Sequence, residues 1–284
     1  MTDLKTAQLP QGPIRYRERG SGEPIVFVHG FLVDSRLWEG TAEALAGEFR
    51  CIQPDWPLGS HRTAMNPGAD LSPPGMARLI SGFLEELDLE NVTLVGNDSG
   101  GAMCQVTATS HPERIGRLVL TNCDTHENFP PGIFKALPAI ARLPGAVRAI
   151  GMPLRFSAVR RIAFAPFAKK RIPDDLLAAW TEPGLRDADI RRDTRKVTVG
   201  MNKRHTLKAA ERLRDFERPA LLAWATEDRI FPLRYAERLA GDIPDARLER
   251  IADARTFVAL DQPERLAEVI GAFMRETAGA RAAA

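Results

Sequence analysis

The segment Leu94-Val95-Gly96-Asn97-Asp98-Ser99-Gly100-Gly101 constrains the fold more than any other. Residues 91–95 have the composition of a buried strand, and a helical stretch follows at once, from about residue 99 to residue 110. No residues are left over for a loop. The chain must turn within Gly96-Asn97-Asp98-Ser99-Gly100, so small residues have to flank the central one, which is held in a strained conformation at the tip of the strand. That central residue is Asp98. Its carboxyl group is expected above the sheet, facing the N-terminus of the new helix and its free N–H groups. A plainer role is also open to it, as an aspartate capping a helix after a glycine turn.

Strand and helix patterns alternate on both sides of this turn. Residues 14–18 and 24–29 are predicted as strands separated by a turn at Gly20 and Gly22, and residues 36–49 as a helix. A short strand over 50–53 ends at Pro54. Ser72, Pro73 and Pro74 form a helix start, followed by helical spacing over 76–87. After a strand at 117–121 the alternation stops. Residues 125–210 are rich in Pro, Arg and Ala and hold helical stretches but no convincing strand. It resumes with a strand at 220–225, a helix from about 233, a strand at 247–251 and a last helix from Pro263. Alternating elements imply an α/β fold with a mostly parallel central sheet and helices on both faces. The stretch 125–210 then reads as a helical cap inserted into a core made of residues 1–124 and 211–284.

Composition narrows the class. With 44% apolar and 27% charged residues the chain is ordinary for a globular protein. Its mean hydropathy is −0.22, and no run approaches the roughly 20 apolar residues of a membrane span, so no membrane partner is expected. Residues 1–10 are polar and lack the apolar core of a signal peptide. The three cysteines, Cys51, Cys104 and Cys123, are too scattered for a disulfide framework or a metal site. A cytoplasmic location follows as the default, with no metal and no cofactor implied. The net charge of +2 is unevenly spread: residues 125–215 carry 19 Lys/Arg against 9 Asp/Glu. Solvated basic helix faces are the commoner meaning of such asymmetry, and an anionic small-molecule substrate is the sharper one. Without a recognised binding motif the charge does not imply a nucleic-acid partner.

The Gly-x-Asp-x-Gly turn between strand and helix resembles the nucleophile elbow of the α/β-hydrolase superfamily, with aspartate where serine is usual. Val28-His29-Gly30-Phe31 resembles the family's oxyanion-hole strand, which implies the N–H groups of Phe31 and Ser99 as the donors. Leu221-Leu222-Ala223-Trp224-Ala225-Thr226-Glu227-Asp228 resembles the strand and turn that carry the acid, which implies Asp228. Some relatives place the acid just after the sixth strand instead, and Asp124 is the second candidate. The resemblance covers nearly the whole chain, residues 125–210 least. Its branch with an aspartate nucleophile contains haloalkane and fluoroacetate dehalogenases and epoxide hydrolases. Their chemistry implies displacement at an sp³ carbon by the carboxylate, then hydrolysis of the ester by a histidine-activated water.

The pattern breaks at that histidine. Relatives read Gly-His-Phe where this chain reads Arg255-Thr256-Phe257, and no histidine follows His205. Threonine is no general base near neutral pH, so Thr256 marks a vacant base position. His126, after the sixth strand, and His61, in the loop after Pro54, are candidates for a relocated base, or else loop histidines. Ser99 stands where haloalkane dehalogenases have Trp and fluoroacetate dehalogenases have Arg. The tyrosines, Tyr16 and Tyr235, lie outside the cap, and Leu32 replaces the proline of epoxide hydrolases. The expected function is therefore that of a dehalogenase-like or epoxide-hydrolase-like enzyme with an incomplete triad. The alternatives are a lyase, isomerase or cyclase on the same fold, or a ligand-binding pseudoenzyme.

Overall fold

The computed structural model describes residues 4–282, with side chains through Ala278. Eight strands form one sheet: β1 (Leu4–Leu9), β2 (Gly12–Arg19), β3 (Pro24–Val28), β4 (Arg50–Pro54), β5 (Val92–Asp98), β6 (Ile115–Cys123), β7 (Ala220–Ala225) and β8 (Ala246–Ile251). Their spatial order is β1-β2-β4-β3-β5-β6-β7-β8. The pairs β1/β2 and β2/β4 are antiparallel and all the others parallel. The strand β1 was not expected from the sequence. It is an edge strand that buries only Ala7 and Leu9, too weak a pattern to distinguish from a polar terminus.

The central strands β5, β6 and β7 are buried at every position because both faces of the sheet are covered. In β3, Val26 and Val28 point into one core while Ile25 and Phe27 point into the other. The first core is closed by α2 (Pro73–Glu86) and α3 (Ser99–Ser110), the second by α1 (Glu39–Leu45) and the final helix. Ser72 caps α2 by accepting the Gly75 N–H, as the Ser-Pro-Pro start implies.

Between β6 and β7 the chain forms α4 (Leu137–Ile140), α5 (Ala146–Gly151), α6 (Ser157–Phe164), α7 (Asp174–Arg186), α8 (Ala188–Gly200) and α9 (Lys203–Leu213), with short 3-10 turns among them. Ala209 of α9 packs with Val106 and Ala77 of the core helices, so the chain rejoins the core earlier than residue 210. Next come α10 (Arg234–Asp242), α11 (Val258–Asp261) and α12 (Pro263–Ala282). The segment is anchored to the loop before α11. The Phe257 N–H donates to the Phe167 carbonyl, and buried Asp261 accepts the N–H groups of Lys169, Lys170 and Arg255.

Candidate active site

Asp98 is the last residue of β5, and α3 begins at the next residue. Its φ is +53° and its ψ −133°, a conformation that costs an L-residue about 1–3 kcal/mol and persists only where the surroundings enforce it. They do so by close approach. A Cβ on Gly100 would lie 2.3 Å from the His29 carbonyl oxygen, and one on Gly30 would lie 2.5 Å from Asp98 Cβ. Only glycine at these positions lets α3 and the β3 loop close around the carboxyl group.

The Phe31 N–H donates to Asp98 Oδ1 at 3.2 Å, and the Ser99 N–H donates to the same oxygen. The two donors that the resemblance implied therefore converge on one atom. This differs from an ordinary helix cap, whose side chain accepts from the second or third N–H of the helix. Burial raises the Asp98 carboxyl above the usual carboxylate range. The Ser99 and Phe31 N–H groups oppose that shift, and the charge of Asp228 adds to it. Behind this loop, His29 is buried and neutral. Its Nε2 accepts the Trp56 N–H and its Nδ1 faces the Gly30 carbonyl, so both ring nitrogens are engaged structurally.

Asp228 and Thr256 meet. Asp228 Oδ1 accepts the N–H groups of Ile230 and Phe231, while its Oδ2 accepts the Thr256 hydroxyl at 2.8 Å. Thr256 is fully buried, and its carbonyl accepts Asn97 Nδ2 at 2.7 Å, tying this loop to the turn that holds Asp98. The side chain of Asn122 bridges the N–H and carbonyl of Ala225 at the end of β7 and supports the Asp228 carboxylate. Sequence reasoning missed Asn97 and Asn122, because nothing in their local sequence signals partners 103 or 159 residues away.

Asp124 lies beside Asp98 at the end of β6. Its Oδ2 accepts the Ser99 hydroxyl at 3.1 Å, and its Oδ1 is buried without a partner. Burial, reinforced by the charge of Asp98, pushes its carboxyl well above the usual range. Both carboxyl groups line a cavity of about 370 Å³ that is otherwise apolar, walled by Phe31, Phe134, Leu154, Phe164, Phe167 and Phe257 among others. A second chamber of about 100 Å³ adjoins it, sharing Leu32, Leu137, Ile150 and Leu154.

Two sequence expectations need correction. Neither His126 nor His61 lines the cavity. His126 Nε2 pairs with Asp242 Oδ2 at 2.7 Å, and His61 Nε2 lies 3.4 Å from Asp193 Oδ2. Each imidazole is already held by a carboxylate elsewhere, so neither is brought to Asp98 as a base. The basic excess of residues 125–210 does not face Asp98 either, since among the described residues no Lys or Arg lines its cavity. Arg191 reaches only the smaller chamber, where its guanidinium donates to the carbonyls of Gly184 and Leu185. An anionic substrate would meet carboxyl groups and no countercharge. Leu32 has φ +57°, a backbone conformation closed to the proline that epoxide hydrolases carry there.

A strand-to-helix turn at the carboxyl end of a mostly parallel sheet, two N–H donors aimed at its tip and an acid after β7 define the class. Residues 23–263 match the model of the alpha/beta hydrolase fold family, and the chain belongs to that family. It is 27% identical over 270 residues to haloalkane dehalogenase 2 of Mycobacterium tuberculosis, covering 92% of this chain and 91% of that protein. It is likewise 27% identical over 243 residues to 2-hydroxy-6-oxononadienedioate/2-hydroxy-6-oxononatrienedioate hydrolase of Cupriavidus pinatubonensis, covering 83% of this chain and 81% of that protein. An alpha/beta hydrolase fold protein from Burkholderia ambifaria superposes with a TM-score of 0.79 at 22% identity, covering 95% of this chain and 99% of that one.

Proposed function

We propose that Asp98 is a nucleophile that displaces a leaving group from an sp³ carbon of a small, uncharged, apolar substrate, and that residues 125–210 form the cap over it. The observation that carries this reading is the buried carboxylate at a strained strand tip, with one oxygen held by two backbone donors. That arrangement leaves Oδ2 to attack. As the new C–O bond forms, the bond to the leaving group breaks and its electron pair departs with it. The product is a neutral aspartyl ester. The cavity's apolar walls suit a hydrophobic electrophile, and the dehalogenase among the relatives has chemistry of this type.

Turnover then needs a water molecule and a base. In relatives the base is a histidine oriented by the acid. Here the acid, Asp228, holds the Thr256 hydroxyl instead, and a hydroxyl does not take a proton from water near neutral pH. The ester should therefore be long-lived. Intact-mass spectrometry after incubation with bromoalkanes or terminal epoxides tests this. The expected result is a stable mass increase in the wild type, one alkyl group from a bromoalkane or one hydroxyalkyl group from a ring-opened and protonated epoxide, and none in Asp98→Asn. Rapid release of product with no adduct would overturn the claim of a stalled ester, and an adduct surviving in Asp98→Asn would overturn the assignment of the nucleophile.

One observation favours a second reading. Asp98 and Asp124 share one apolar cavity, both with raised affinity for a proton, and Asp124 Oδ1 has no partner. Such a pair can relay a proton across a neutral ligand, as an isomerase or lyase requires. Deuterium exchange into apolar ketones, followed by NMR and lost in Asp124→Asn, would support it. Alkylation of Asp98 without any such exchange would count against it.

A further inference from the structure

The outer surface of the helical segment is unlike the rest of the molecule. Of the seven large hydrophobic side chains that are exposed among the described residues, six belong to it: Ile133, Ile140, Leu143, Ile150, Phe156 and Ile162. Ile133 and Ile162 are 73% and 75% exposed. Over residues 128–173 the chain carries nine Lys or Arg residues and no Asp or Glu. Arg161 and Arg171 pair with Asp174, and Lys169 with Glu227 and Asp253. Lys135, Arg142, Arg148 and Arg155 are exposed, and among the described residues no carboxylate pairs with them. The Arg155 guanidinium lies over the Phe156 ring, 4.5 Å from its centre.

These side chains lie on elements that also line the cavity or on the short turns between them. Each element from residue 132 to residue 164 also sends an apolar residue into the two adjoining chambers: Phe134, Leu137, Ile150, Leu154, Val159 and Phe164. The same segment thus carries apolar residues on the cavity and others exposed at the surface. Ile150 does both, being 46% exposed while lining both chambers. The exposed apolar surface thus meets the lining of both chambers at Ile150.

We propose that this face docks on a negatively charged lipid surface, so that apolar substrates pass from the bilayer into the cavity. Exposed isoleucines and a phenylalanine supply the apolar contact, and the unpaired lysine and arginines supply attraction to anionic headgroups. A second copy of the chain fits less well, because a two-fold contact would set this basic face against itself. No helix among the described residues is long and apolar enough to cross a membrane, so the attachment is peripheral. The sequence expectation of no membrane partner rested on the lack of a long apolar run and does not bear on this face. The proposal does not depend on the chemistry assigned to Asp98.

Flotation of the full chain with vesicles of phosphatidylcholine, alone or with about 40% phosphatidylglycerol, tests it. Binding is expected with the anionic vesicles, little with the neutral ones, and less at high salt. Ile133→Ser with Phe156→Ser and Ile162→Ser, and separately Arg142→Gln with Arg148→Gln and Arg155→Gln, should each weaken binding at least about tenfold. Circular dichroism spectra that match the wild type would show that these surface variants fold. The proposal is overturned by wild type that stays with neither vesicle, by binding that both triple variants retain, or by binding that the variants lose only through unfolding. It is equally overturned if sedimentation shows a dimer that the isoleucine and phenylalanine changes dissociate, since a second copy would then occupy the face.

Discussion

Two carboxylates in this molecule each hold a side chain through a short hydrogen bond, with opposite consequences. At the mouth of β7, Asp228 holds the Thr256 hydroxyl at 2.8 Å, beside the cavity that contains Asp98. On α10, Asp242 holds the His126 imidazole at 2.7 Å, outside that cavity. The chain possesses a carboxylate–histidine pair but places it where it fastens the loop after β6 to a helix. On the function we propose, such a pair would activate water at Asp228, and the partner there is a hydroxyl. The same kind of contact fastens a loop at one place and borders the cavity at the other, according to what it faces.

Converting the first pair into the second kind should have the largest effect. Thr256→His is expected to speed loss of the Asp98 adduct by about 10²–10⁴, the usual worth of a general base. Time-resolved intact-mass measurements would read this directly, and an unchanged adduct lifetime in a folded variant would show that Asp228 does not orient a base from this position. A next effect comes from the geometry that both readings of the site require. Gly30→Ala puts a methyl group where Asp98 sits, so adduct formation should slow by about 10²-fold, the cost of a displacement near 1 Å. A rate within a factor of two of wild type would mean that the β3 loop does not fix the carboxyl group.

The histidine pair should report on stability alone. His126 has φ +48°, which asparagine tolerates, so His126→Asn removes the contact to Asp242 without demanding a new backbone. Destabilisation of about 1.5–3 kcal/mol in denaturant unfolding is expected, with adduct formation on Asp98 unchanged. Loss of alkylation in the folded variant would restore His126 to the site. The smallest effect concerns Asp124. Its folded-state carboxyl binds a proton more tightly than an unfolded one, so the folded chain loses stability as the pH rises through that window. Asp124→Asn removes this loss. Its melting temperature should exceed that of wild type at neutral pH, and the gap should close toward pH values of about 4, near the unfolded carboxylate's own range. A gap independent of pH would show that Asp124 is ionised throughout.

Much of this was legible in the sequence because it depended on local spacing. The Gly96/Gly100 register put Asp98 at the turn, and the structure has it there with φ +53°. The segments predicted as the strands around the acid and the base match β7 and β8 closely. Thr256 was placed by its position between β8 and the final helix, and it does meet Asp228. What failed was the estimate of where isolated groups point. His61 and His126 share the carboxyl side of the sheet with Asp98, yet their rings turn toward Asp193 and Asp242. A basic count over residues 125–215 carries no direction, and the structure sends those charges away from the cavity.

The sequence by itself determined the turn at Asp98 and the alternating elements, since each rests on neighbours within a few residues and on steric limits of the backbone. The tertiary structure alone decided which distant groups meet. It set Thr256 on Asp228, Asn97 on the Thr256 carbonyl, and Ser99 on Asp124. It also lined the cavity mainly with apolar side chains where the segment, basic in composition, meets the core. The physical reason is burial. Only packing determines which face of each helix loses its water, and that choice leaves arginine at the surface while phenylalanine and two carboxyl groups share the interior.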